Sequence, residues 1–241
     1  MTILQKLAEK ILEYSEGFKV IDYCACLRAT YVIVEDKEER RFLGMSHIAH
    51  ENLHNQGKII APNVDNLTEL TSSINIINRS FGLSLINAIS QKFIKPTQEF
   101  PEIRDPVCIV GNMKPLVKEF SNRKVYVFEK STELRDDALS DAEEELLLQE
   151  CKTVFITGVT LLNFTLERIL EISKGTNILI GPSASIIPDL MRDFNIHYIQ
   201  SMIFNDVDKI RDHLRLGNFV SLKINKELGV NFSAKVNRSF A

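Results

Sequence analysis

Apolar residues recur at helical spacing from the start of the chain. Ile3, Leu4, Leu7, Ile11 and Leu12 predict an amphipathic helix that stops by Gly17. The pattern then changes. Residues 18–35, FKVIDYCACLRATYVIVE, are rich in β-branched and aromatic types, and the charged run DKEERR before FLGM reads as an exposed hairpin connection, so a small antiparallel sheet is expected. Residues 74–93 predict a long helix that is apolar around most of its circumference. Ser80, Ser84, Asn87 and Gln91 form the exception, a narrow stripe at steps of four, three and four. Such a stripe faces either another surface or solvent.

From residue 107 short continuous apolar runs alternate with helical patterns: VCIV at 107, KVYVF at 124, TVFIT at 153, NILI at 177 and HYIQ at 197. Runs buried on both faces imply a parallel sheet. Helices are expected between them at 114–120, 141–149, 163–173, 188–194 and 207–216. Ser140 with Glu143 fits a capping box, Pro188 a first helical position, and Gly175 and Gly217 left-handed stops. Residues 94–106, IKPTQEFPEIRDP, place three prolines in a polar stretch that neither a helix nor a central strand crosses easily. The chain therefore divides into residues 1–93, a linker at 94–106, and an α/β domain at 107–241.

Composition narrows the functional classes. The 241 residues are 44% apolar and 25% charged, with a net charge of −3, too near balance for the positive field that nucleic acid binding needs. No apolar run suggests a signal peptide or a membrane span, so a cytoplasmic protein is expected. Four cysteines, Cys24, Cys26, Cys108 and Cys151, are too few and scattered for a disulfide scaffold, and reduced core thiols are expected. Cys24 and Cys26 would share one strand face, where C-x-C could serve a soft metal.

Ligands of open α/β sheets collect outside the carboxyl ends of the strands. There the chain places Gly111-Asn112, Glu129, Thr157-Gly158 followed by Asn163 and Thr165, and Gly181-Pro182-Ser183. Glycines let backbone amides approach a bound group, and the hydroxyl and amide side chains add donors, so a small polar or anionic ligand is expected. Glu129 stands where nucleotide-binding folds set an acid against ribose hydroxyls, yet GNMKPL lacks the glycine fingerprint. GPSAS likewise lacks the second glycine of a nucleophile elbow. HENLH matches the zinc pattern H-E-x-x-H through His50, Glu51 and His54, but it is short, and Glu69 comes early for a third ligand. Metal contact by His47, His50 or His54 stands beside solvated loop histidines, with a zinc protease as the least favoured reading. The acids from Asp136 to Glu145 read as a solvated helix start offsetting the helix dipole.

Several blocks in fixed order carry a further signal: NRSFGLSLINA at 78–88, VGNMKPLV at 110–117, VFEKS at 127–131, ITGVTLLNFTLERIL at 156–170 and LIGPSASIIP at 179–188. With these the chain resembles a family of two-domain proteins described as heavy-metal chelation proteins, in which an enolase N-terminal-like α+β domain precedes a Rossmann-like parallel-sheet domain. The resemblance implies an interdomain cleft holding a divalent or heavy-metal ion, or a small metal-chelating metabolite. Glu129 would be the acidic ligand, the strand-end residues above would form one wall, and Ser80, Ser84 and Asn87 the other. The alternative is an enzyme acting on a nucleotide-like or S-adenosyl substrate at the same strand ends. Three positions depart from the family: Asn78 replaces an acid, Phe164 a small residue and Asn195 a glycine. Asparagine tolerates the left-handed conformation that glycine would take there. Oligomeric state is left open, a homodimer included.

Overall fold

A computed structural model describes residues 1–48 and 57–237. Helix α1 (Ile3–Ile11) opens the chain, its N-terminus closed by a reciprocal capping box between Thr2 and Gln5. Strands β1 (Lys19–Ala25), β2 (Ala29–Glu35) and β3 (Arg41–His47) form an antiparallel sheet in that order. The charged run makes the β2–β3 turn, where Asp36 accepts from Arg40 and Lys92. Helices α2 (Leu67–Ser72) and α3 (Ile76–Gln91) complete the first lobe. Of these, α2 lay in a stretch for which no element was expected.

The second lobe carries a seven-stranded sheet: β4 (Val107–Val110), β5 (Val125–Glu129), β6 (Leu139–Ser140), β7 (Thr153–Thr157), β8 (Thr176–Ile180), β9 (Tyr198–Phe204) and β10 (Gly229–Lys235). Its order is β6-β5-β4-β7-β8-β9-β10, parallel except for β10. All five apolar runs are parallel strands, as expected, and the fold class is the expected one. Order reverses between β4 and β7, the switch point of a doubly wound sheet. Residues 97–99 run along β10, with Ser233 N donating to Thr97 O, so part of the expected linker extends the sheet edge.

Helices α4 (Lys114–Glu119), α5 (Glu144–Leu147), α6 (Leu166–Ile172) and α7 (Val207–Arg215) are shorter than their patterns suggested. The 188–194 pattern yields only a 3-10 turn at Pro188–Met191. Ser140 caps such a turn rather than an α-helix. Gly217 is left-handed at φ 74°, but Gly175 is not. Its missing side chain instead lets it approach the Cys151 carbonyl, 2.5 Å from where a Cβ would sit.

Strand alternation sorts the sheet into two faces. Cys108, Val110, Val154, Ile156 and Leu179 pack with α1, α3 and α6. Val107, Ile109, Phe155, Ile178 and Ile180 face α4 through Leu116 and Phe120. The small sheet is also covered twice: Val32 and Val34 meet the first-lobe helices, while Tyr31, Ile33, Leu43 and Met45 meet Ile210 and Leu214 of α7. Thus α7 from the second lobe forms the outer layer of the first. The four cysteines are paired, Cys24 with Cys26 and Cys108 with Cys151, where reduced thiols were expected. Local spacing says nothing of which strands become neighbours, and β4 brings Cys108 to the start of β7.

Candidate functional site

The polar stripe of α3 packs Ser80 and Ser84 inside the first lobe and carries Asn87 and Gln91 to the seam between the lobes. Ser80, Ser84 and Asn87 are fully buried. The hydroxyls of Ser80 and Ser84 lie 2.8 and 2.7 Å from Thr30 Oγ1. Asn87 Nδ2 donates to Met45 O and Ser183 O at 2.8 and 3.0 Å. Gln91 Nε2 donates to Ser185 Oγ and Met202 O, and its Oε1 accepts Phe204 N–H. α3 comes this close because β3 carries Gly44, whose added Cβ would stand 2.1 Å from Ser84 O and Ala88 N. The free edge of β3 is thereby covered by the Gly181–Ser185 turn, with His47 N donating to Ser183 Oγ at 2.9 Å. The stripe was expected to wall an open cleft. It meets protein instead, because close helix–strand packing leaves no room and small polar groups satisfy an otherwise bare strand edge.

The open space lies on the other side of that turn. A cavity of about 750 Å³ covers the carboxyl ends of β7 and β8 beside the switch point. Phe155, Ile180, Leu116, Phe120 and Phe232 give it apolar walls, and Phe219, Val220 and Leu222 from the segment after α7 cover it. Asn112, Thr157, Gly181 and Pro182 line it, as does His47 of the first lobe. Of the thirteen expected ligand-binding residues, the structure brings these four together here. Nothing periodic marks Phe219, Val220 or Leu222 in the sequence, whose only signal is an apolar cluster just after a helix stop, and Asn231 of β10 carries none.

The other expected residues hold the loops. Glu129 accepts N–H bonds from Asn112 at 2.8 Å and Ser131 at 2.9 Å, stapling the β4 and β5 loops together. Gly111, at φ 94°, lets its backbone approach Thr157. Gly158 backs onto Ser183 and Ala184. Asn163 Oδ1 accepts from Thr165 N and Oγ1, a turn local to the start of α6. The amides expected to cradle an anion are largely engaged: Gly111 N with Phe128 O, Met113 N with Gly111 O, and Gly181 N with Gln200 O.

The family departures have physical readings. Phe164 sits at φ 60°, a conformation that favours small residues, and its ring packs 4.7 Å from the Arg79 guanidinium. Asn78 accepts from Ile60 N and donates to Lys58 O, a double role that a carboxylate cannot fill. Asn195 is not left-handed; its amide reaches the carbonyls of Leu170 and Ser173 at the end of α6.

His47 is the titratable group of the cavity floor. Its ring stacks on Phe219 with centroids 4.4 Å apart, and Nδ1 lies 3.5 Å from Ser183 Oγ. Nε2 is buried without a partner of good hydrogen-bond geometry, and the Val220 backbone acts on the ring as an acceptor that opposes part of the effect of burial. Burial pushes its pKa from the ordinary 6.5 down to about 4, so the imidazole is neutral at physiological pH.

A metal ion held by protein alone needs three or four converging donors. Among the described residues no three His, Cys, Asp or Glu side chains converge in that way, and Glu129 is already committed to two amides. The described residues therefore do not fit a cation caged by side chains. His50 and His54 lie outside the described residues. Among the described residues no helix is long and apolar enough to cross a membrane.

Two family profiles match this chain, at residues 8–90 and 100–225, and both carry the description "Putative heavy-metal chelation". An uncharacterized protein of Methanocaldococcus jannaschii is 35% identical over 90% of this chain and 92% of its own length. A crystal structure from Pyrococcus horikoshii, of unknown function and assigned to the DUF364 family, superposes with a TM-score of 0.86 at 28% identity, covering 97% of this chain and all of that one. A second DUF364 structure of unknown function, from Desulfitobacterium hafniense, shares the fold at 16% identity and a TM-score of 0.71, with 97% of each chain covered. With both lobes matched and a relative aligned over nine-tenths of its length, the chain belongs to this two-domain DUF364 family.

Proposed function

We propose that the protein binds a small metal-chelating metabolite, metal-free or metal-loaded, in the cavity over the ends of β7 and β8. The carrying observation is the cavity itself. Its volume suits a small organic ligand, it adjoins the switch point, and both lobes contribute to its lining. A chelating ligand reconciles the family description with the absence, among the described residues, of side chains that converge on a cation. Thermal melting with Zn²⁺ alone and with a panel of chelators (8-hydroxyquinoline, 2,3-dihydroxybenzoate, citrate) tests this. At least one chelator is expected to raise the Tm while Zn²⁺ alone does not. Stabilisation by Zn²⁺ alone that disappears in His50→Ala or His54→Ala would replace the reading with a side-chain metal site. No response to any chelator would remove it.

A second reading draws on strand order. The arrangement β6-β5-β4-β7-β8-β9 is the 3-2-1-4-5-6 order of dinucleotide-binding sheets, which suits an enzyme acting on a nucleotide-like or S-adenosyl substrate. Stabilisation by S-adenosylmethionine or adenosine without metal, and not by chelators, would favour it.

A further inference from the structure

The charges around the cavity cancel at its mouth. Lys114, Lys223 and Lys226 stand against Glu119, Glu133 and Asp136, and all six are exposed. Lys114 pairs with Asp136 and Lys223 with Glu119, each at 2.5 Å. Deeper in, the walls are apolar and the polar groups are neutral. Asn231 is held by its own amide, since Nδ2 donates to Leu222 O at 2.8 Å.

Resting on the proposed binding of a chelating metabolite, we infer that the ligand class is uncharged and largely apolar. A metal would then enter only as a neutral complex. The reason is electrostatic. An anion in this cavity would leave water for apolar walls with no buried counter-charge among the described residues, since the lysines that line it are exposed at the rim, two of them paired. The imidazole, held neutral by burial, supplies no charge either.

The chain contains no tryptophan, so Phe219→Trp installs a single fluorophore against His47. Titrating this variant with 8-hydroxyquinoline and with its 5-sulfonate compares one chelating group with and without a fixed negative charge. The neutral compound is expected to bind at least tenfold more tightly. Equal or tighter binding of the sulfonate overturns the inference. If citrate stabilises the protein while neither quinoline binds, the inference falls and the proposed function stands. If no chelator binds, both fall.

Discussion

The two sides of the Gly181–Ser185 turn differ in what fills them. On the seam side the α3 stripe is filled by protein: Ser80 and Ser84 bond Thr30 within the first lobe, while Asn87 and Gln91 bond Ser183 and Ser185 across the lobes. On the cavity side the walls are largely apolar and enclose about 750 Å³. Hydrogen bonds across a close-packed interface fix one arrangement, so the seam sets how the lobes sit. Open apolar volume is a cost the fold retains, and a bound ligand supplies a physical reason to retain it.

The largest test of the contrast is steric. Gly44→Ala forces a Cβ into α3 backbone, which is expected to destabilise the protein by more than about 3 kcal/mol in urea unfolding. A small effect would mean the seam is loose. Next comes pH. The folded pKa of His47 is depressed, from 6.5 to about 4, so the folded state binds fewer protons than the unfolded state between those values. Its contribution is complete above pH 6.5 and is lost as pH falls toward 4, by roughly 3 kcal/mol. Urea unfolding at pH 7 and pH 4.5 should show this loss, and His47→Gln should remove it. Gln91→Ala, which strands Phe204 N–H and removes two donors, is expected to cost about 2 kcal/mol with no change in chelator affinity. Altered affinity would show that seam and cavity are coupled. At the rim, Lys223→Ala breaks one half-exposed ion pair and should change stability by no more than about 0.5 kcal/mol.

Much of the fold could be read in advance for one reason. A strand buried on both faces must be apolar along its length, so VCIV, TVFIT and NILI announce β4, β7 and β8 without any partner in view. VNFSAK mixes polar and apolar residues because β10 lies at an edge, and it gave no such signal. Strand-end loops could be located too, which is why Asn112, Thr157, Gly181 and Pro182, picked out together in the sequence, line the same cavity. Glu129 was placed at the right strand end, but whether a carboxylate meets a ligand or two amides depends on where a neighbouring loop turns. The α3 stripe shows the same division. Its residues share one face by periodicity alone, while only the approach of Gly44 and the Gly181–Ser185 turn decides that this face is filled.

The linear order of side chains thus determined most of the elements, the parallel character of the large sheet and the family, since each follows from local period or from blocks in sequence. Tertiary structure decided which cysteines meet and which side of the turn is open. Those outcomes depend on distances between segments far apart in the chain, and no local pattern encodes them.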